Sequence, residues 1–564
     1  MVVDINYPLQ LQVELLPKGA IPEFRFTLPE MQLPEEINLT EHLLDPNLRG
    51  EQANRIAFYS GDRQITYKAL HEMVNRLGNG LRGLGIGKGD RVVLRIPNCV
   101  EFVVCALALH RLGAVVIPTV SLLREGIITY IANTVEAKAI VSSHDLLEEI
   151  ELGREKYQTV KQVVAIGGDP AELKRRGYLS YEELIQSSGD RLESVKVKRD
   201  DVAVIFFTSG TTGMPKGCMH MHLTVMGGIH GSLEMFGGIR PDDVISGTPP
   251  LAFVYGYGHM MLIPLLCGVP AVFIEGRVTP EKMFEAIQKH RVSIFNSNPT
   301  GYTQLLNVPD AEKKYDLSSL RATECGSAAM LPATFHQWRT RFGTELLNGM
   351  GSTETFIAYL ANREPLNKPA ALGSPLPSWE ARIVDDEGRN RPFGTVGRLA
   401  IRGTGGIMYW RNPEKQKEAV IDGWSLTGDL AYQDEDGCFW HVSRSDDIIK
   451  SRGYRVSPGE VEDALLEHPA VFESAVVGTP DPIQGNRVKA FVMLKQGREG
   501  SPELAEELRL FVRGRLAPYQ APSEVEFVAS LPKTETGKLR RVELRQREEK
   551  RYAERQLGGA GSQA

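Results

Sequence analysis

Hydrophobic positions along the chain repeat with two periods, and the two alternate. Leu70, Val74, Leu77, Leu81 and Leu84 recur every three or four residues, one face of a helix that Gly85 ends. RVVLRIP (91–97) reads as a strand, EFVVCALALHRLG (101–113) as a buried helix, and AVVIPT (114–119) as the next strand. The alternation returns with AVFIEG (271–276), the helix PEKMFEAIQKHR (280–291) and VSIFNSNP (292–299). Short apolar runs followed by one helix at a time predict parallel sheets covered by helices.

The pattern changes between roughly residues 380 and 445. EARIVDDEGR, GRLAIRG and CFWHVSRS are short strands separated by turns at Asp386-Glu387-Gly388 and Asp436-Gly437, which predicts an antiparallel sheet or small barrel. Beyond Arg444 come the helix EVEDALLEHPAV, the strands ESAVVG and VKAFVML, and the helix ELAEELRLFVRGRLA, a second α+β domain of ordinary size. The expected fold is therefore α/β: a large N-terminal region (1–445) of helix-covered sheets with a barrel-like subdomain, a small mobile α+β domain (446–545), and a tail (546–564) whose Gly-rich end is disordered. No internal repeat is present.

Length and charge narrow the classes. A chain of 564 residues exceeds one ordinary core. A net charge of −6 gives no basic surface for nucleic acid. Lys538, Arg540, Arg541 and the following RQREEKRYAER are basic, but acids are interspersed, and a solvated helical face is expected there. The six cysteines, Cys99, Cys105, Cys218, Cys267, Cys325 and Cys438, are scattered without a CxxC pair, which fits a reducing compartment. The N-terminus has no basic start and apolar run of a signal peptide, and no apolar stretch approaches the roughly 20 residues of a membrane span. A cytoplasmic protein is expected; a homodimer is left open.

Four segments carry chemistry. VIFFTSGTTGMPKGCMH (204–220) runs from an apolar strand into Thr208, Ser209, Gly210, Thr211, Thr212, Gly213 and then Lys216. Glycines let such a loop fold its N–H groups onto one point, and hydroxyls and an ammonium add donors, as phosphate oxygens require. Gly217 follows the lysine where a P-loop needs Ser or Thr, so this is a different phosphate loop. LLNGMGSTET (346–355) delivers Thr353 and Glu354 after Gly349, Met350 and Gly351; a carboxylate beside a hydroxyl suits Mg²⁺ among nucleotide phosphates, and is also a common helix N-cap pattern. Asp429, after Thr427-Gly428, is placed to accept from a ribose, and Arg444 ends the last strand before the domain change. LPKTETGKLRR (531–541) puts Lys538 in a glycine-containing loop.

In this order, the four segments resemble the adenylate-forming superfamily of acyl- and aryl-CoA synthetases, peptide-synthetase adenylation domains and luciferases, over roughly residues 50 to 545. The resemblance implies ATP, Mg²⁺ and coenzyme A, with an acyl-adenylate between two half-reactions. It implies that residues 208–213 and Lys216 hold the β- and γ-phosphates. Thr353 would contact phosphate, Glu354 would bind magnesium, and Asp429, with Arg444, would take the ribose hydroxyls. Gly326, Ser327 and Ala328 of ECGSAAM would cover one face of adenine, with Gly349, Met350 and Gly351 opposite. Lys538 would bridge the substrate carboxylate and the α-phosphate. Asp446 would be the hinge, and Gly453, Tyr454 and Arg455 part of the coenzyme A channel. Cys218 and Cys325 are expected to be packing residues.

PPLAFVYGYG and FWHVSRSDD look most like the benzoate and 2-aminobenzoate ligases. That likeness implies an acid pocket walled by Phe253, Tyr255, Tyr257, Ala328, Gly351 and Ile357, and an aromatic or compact apolar acid. Met350 stands where most members carry an adenine-stacking aromatic, Ser443 replaces a glycine, and Ile357 stands where benzoate-type enzymes tend to carry histidine. Branched, alicyclic or medium-chain aliphatic acids, and loading of a separate carrier protein, stay open.

Overall fold

The computed structural model describes residues 6–208, 214–326, 332–363, 367–445, 447–451, 454–481, 485–533 and 539–560. The helix read from leucine spacing is Tyr67–Gly83, with Leu70, Val74, Leu77 and Leu81 buried. It starts where the Thr66 hydroxyl accepts from the Ala69 N–H at 3.1 Å. It stops before Gly85, whose φ of +80° reverses the chain. The apolar helix is Val100–Arg111, and all of it but Glu101 is buried, as a helix without a polar face demands.

Packing divides the chain into two compact units, residues 1–381 with 400–426, and residues 382–399 with 427–564. The first carries two large sheets. In the seven-stranded one, Val202–Thr208, Val115–Pro118, Arg91–Arg95, Ala139–Ser143, Gln162–Ile166 and Leu179–Ser180 lie side by side in parallel. Lys216–Met221 closes its edge antiparallel to Val202–Thr208. In the nine-stranded sheet, Ile56–Ser60, Ala271–Phe273, Ile245–Gly247, Ile294–Ser297, Ala322–Cys325 and Leu346–Gly351 are parallel neighbours, with antiparallel strands at both edges. Both are mostly parallel and helix-covered, as the alternating pattern required. Thr208, Gly326 and Gly351 thus stand at carboxyl ends of strands, where open α/β sheets place their ligands.

The short strands expected near residues 380–445 are Glu380–Val384, Gly397–Arg402, Val420–Ile421, Trp424–Gln433 and Phe439–Arg444. In the second unit, Val471–Asp481 pairs antiparallel with Gly485–Leu494, which pairs in parallel with Glu524–Phe527. Val461, Leu465, Val476, Val492, Leu508 and Val512 form the core between this sheet and the helices Pro458–Leu466 and Pro502–Arg513.

The basic C-terminal stretch is not simply a solvated face. It forms the helix Arg541–Ala560, whose Leu544 joins a small core with Val477 and Phe491. Buried Glu548 meets the buried ammonium of Lys489 at 3.0 Å, with Glu524 and Glu526 at 2.7 and 2.9 Å. Sequence periodicity hid this because the helix touches its unit through few apolar positions. The helix also takes in Gly558 and Gly559 of the expected disordered end; residues 561–564 lie outside the described set. The compact units part at residues 426/427, whereas the sequence suggested a turning point at 445/446, which belongs to the functional proposal below.

Candidate active site

The hairpin Val202–Thr208/Lys216–Met221 ends with Thr208 opposite Lys216. Ser209, Gly210, Thr211, Thr212 and Gly213 lie outside the described residues. Around the Thr208/Lys216 end of the hairpin the chain gathers the other expected groups of this unit. The Lys216 ammonium sits 5.3 Å from the centre of the Tyr409 ring, and the Tyr409 hydroxyl is 3.5 Å from a Glu354 carboxylate oxygen. A His220 ring nitrogen is 2.8 Å from the Thr353 carbonyl. Thr353 and Glu354 lie in a single 3₁₀ turn capped reciprocally by Ser352 and Thr355. Cys218 is fully enclosed beside them; burial first, then the charge of Glu354, pushes its thiol well up, so it is a packing residue. Cys325 is likewise buried with its thiol pushed up by burial.

Asp429 sits in the other unit, opposite Arg444 on the hairpin Trp424–Gln433/Phe439–Arg444. It is 4% exposed. Arg444 donates to its carboxylate at 3.1 Å and to the Thr427 carbonyl at 2.9 Å, and His441 lies 3.5 Å away. Gly428, at φ +79°, lets the guanidinium approach: a Cβ there would stand 2.7 Å from it. Burial alone would raise the Asp429 carboxyl; His441, Arg444 and Thr427 outweigh it and hold it below the usual range. His441 was not singled out in the sequence, although it alternates with Ser443 along a strand leading to Arg444.

The expected acid and adenine wall is more mixed. Gly326 follows Ala322–Cys325, and its N–H donates to the Ser297 carbonyl at 3.0 Å. Gly349, Met350 and Gly351 end the neighbouring strand. Ser327 and Ala328 lie outside the described residues. Phe253 and Tyr255 are partly accessible, whereas Tyr257 belongs to the packed interior. Its hydroxyl is 2.6 Å from His110, and its ring meets Phe206 edge-on. Residues 254–262 are helical, so positions two apart point to nearly opposite sides. Ile357 is buried against two glycines: a Cβ at Gly258 would stand 2.6 Å from its Cδ1, and one at Gly228 3.0 Å from its Cγ2. Phe356, between it and the Glu354 turn, takes φ +78°, a strained value for a residue with a side chain. Two polar residues of this wall escaped sequence reasoning, Glu324 and His259; both are at most 2% exposed.

Family models decide what these clusters belong to. The model for the AMP-binding enzyme matches residues 47–409, and that for the AMP-binding enzyme C-terminal domain matches residues 460–538. The chain belongs to the AMP-binding enzyme family. Among members, it is 34% identical to the benzoate–CoA ligase of Thauera aromatica, covering 92% of this chain and 98% of that one. It is 33% identical to the acetyl-coenzyme A synthetase of Bacillus subtilis (strain 168), over 90% of each. Among solved structures it resembles the anthranilate CoA ligase AuaEII in complex with anthranoyl-AMP, with a TM-score of 0.87, 32% identity, and 93% and 100% coverage.

Within this AMP-binding enzyme, the residues expected to move between half-reactions fall partly outside the described set: Lys538, Asp446 and Gly453 do. Among the described residues, Lys533 bridges Leu539, and the Arg540 N–H donates to the Pro532 carbonyl at 2.8 Å. Arg541 and Arg545, just beyond it, reach the Asp447 carboxylate at 3.1 and 2.7 Å, and Arg541 also binds Glu462. Tyr454, 52% exposed, stacks on Tyr519 at 4.2 Å; Arg455 lies on the same strand, Tyr454–Val456.

Proposed function

We propose that this AMP-forming ligase joins an aromatic or compact apolar carboxylic acid to coenzyme A. The observation that carries the proposal is the gathering of Lys216, Thr353 and Glu354 at the Thr208/Lys216 end of the 202–221 hairpin. In the first step an oxygen of the acid attacks the α-phosphorus of ATP, and the bond to the β-phosphate oxygen breaks, releasing pyrophosphate. Residues 208–213 and Lys216 hold the departing phosphates. Glu354, a single carboxylate with hard oxygen donors, fits Mg²⁺, which takes few protein ligands and shares phosphate oxygens. When bound, the ion neutralises charge building up on the phosphates.

Lys538 sets an ammonium between the two anions being joined, the role that preorganised charge performs best in a site closed to water. Asp429 accepts from the ribose hydroxyls, with Arg444 fixing its carboxylate. In the second step the small domain turns about Asp446, and the coenzyme A thiol, led past Gly453, Tyr454 and Arg455, attacks the acyl carbon and expels AMP. The enzyme supplies no covalent nucleophile. Likeness to the benzoate–CoA ligase and AuaEII supports an aromatic acid. The acetyl-coenzyme A synthetase likeness keeps small aliphatic acids within the test.

No described helix is long and apolar enough to cross a membrane, and the reading includes a cytoplasmic location; whether the enzyme is a homodimer is tested by its mass in solution. The experiment is ATP–pyrophosphate exchange without coenzyme A, and AMP release with it, across aromatic, alicyclic and aliphatic acids. Exchange with an aromatic acid and coenzyme A-dependent AMP release are expected. Silence across the panel would end the proposal; acyl transfer only to a carrier protein would replace coenzyme A as acceptor.

A further inference from the structure

Three polar side chains of the acid wall form a cluster without a counter-charge. The Tyr255 hydroxyl is hydrogen-bonded to Oε2 of Glu324 and lies 3.2 Å from the Ser297 carbonyl. Glu324 is 1% exposed and has no ion-pair partner among the described residues. Its other oxygen, Oε1, faces two glycines: a Cβ at Gly326 would stand 3.0 Å from it and one at Gly349 2.8 Å. His259 is 2% exposed, its ring edge-on to Tyr255 at 5.1 Å and to Phe236 at 5.6 Å. Neither of its ring nitrogens has a hydrogen-bond partner among the described residues.

Buried polar atoms are rarely left unpaired, because each gives up its hydrogen bonds to water. We propose that Glu324, with Tyr255 and His259, forms a polar end to the acid pocket that accepts a hydrogen bond from an amino or hydroxyl substituent on the substrate ring. This deepens the functional reading and rests on it.

Chemistry sets the direction of recognition. Burial pushes the Glu324 carboxyl well above the usual range, which disfavours its charged form. The Tyr255 hydroxyl donates to Oε2 of Glu324, with the Ser297 carbonyl 3.2 Å away. That leaves Oε1, on the side of Gly326 and Gly349, as the acceptor offered to the substrate. Burial also brings His259 down to about 3, so its ring is neutral, with one donor and one acceptor nitrogen. The complement is a neutral N–H or O–H donor that can also accept, which an arylamine or a phenol provides. A plain phenyl ring would leave these groups unpaired, and sites built for a hydroxyl or amine reject its absence strongly.

The test compares exchange kinetics of the full-length enzyme with benzoate and with the 2-, 3- and 4-amino- and hydroxybenzoates. At least one substituted acid is expected to exceed benzoate in kcat/KM by about 10²-fold or more. In Glu324→Met that ratio falls toward one, whereas Glu324→Gln, which keeps an acceptor oxygen, retains most of it. Tyr255→Phe, which removes the hydrogen bond to Glu324 while keeping the ring, lowers the ratio if the methionine variant does not fold. Equal use of benzoate and all substituted acids by the wild type, or an unchanged ratio in Glu324→Met or Tyr255→Phe, overturns the proposal. Absence of exchange with every acid overturns instead the ligase reading beneath it.

Discussion

Asp429 and Glu324 are both carboxylates closed off from water, yet one is pushed toward its charged form and the other away from it. Asp429 stands on a hairpin that aims a guanidinium, an imidazole and a hydroxyl at it. Glu324 ends a central parallel strand and meets a phenol and two glycines, none of which carries charge. Burial works against the charge in both; only the partners differ. Asp429 is therefore suited to accept from a polyol, and Glu324 to match a neutral donor.

The largest test of this contrast is Asp429→Ala. It removes the one buried anion of its hairpin, and ATP–pyrophosphate exchange is expected to fall about 10²-fold or more in kcat/KM for ATP; a change below threefold would show that Asp429 does not hold nucleotide. The next is a pH series of urea unfolding on wild type and Glu324→Gln. Because Glu324 is raised when folded, its stabilising contribution is present below its unfolded value of 4.5 and is lost as pH rises through the folded value. The stability of Glu324→Gln relative to wild type should thus grow with pH above 4.5, by up to about 1.4 kcal/mol per unit. A constant difference from pH 5 to 8 would mean the carboxyl ionises in place. Asp429 has the opposite sign: its contribution is present above about 3.8 and disappears as pH falls through its lowered folded value.

The smallest expected effect is on stability in Arg444→Ala. Its side chain is 47% exposed, so solvent screens the pair, and a loss of about 1 kcal/mol is expected in urea unfolding at pH 7. The loss should shrink as pH falls through the lowered folded value at which Asp429 takes up its proton. A loss that does not shrink as pH falls would assign the effect to packing.

Much of the large unit was legible in the chain. Continuous apolar runs and period-3.6 spacing gave the strands Arg91–Arg95 and Ile294–Ser297 and the helices between such runs, because parallel sheets bury whole apolar strands. Thr353, Glu354 and Lys216 were legible as glycine-flanked polar residues at strand ends. Tyr257 was placed in the acid wall by resemblance alone, and it is buried with its hydroxyl on His110. Glu324 and His259 were invisible for the converse reason: periodicity marks apolar positions, and a polar residue in the interior leaves no periodic trace. The Arg541–Ala560 helix was read by its charge, while Leu544 and Glu548 tie it into its unit.

Ile357 rests on Gly228 and Gly258 as on two shims, with no room for a methyl group on either without a shift. On the proposed reading, in which Ile357 lines the acid pocket, these glycines set how far its side chain can retreat. A larger residue at either glycine would press on Ile357, so that reading makes the depth of the pocket tunable from behind its own wall.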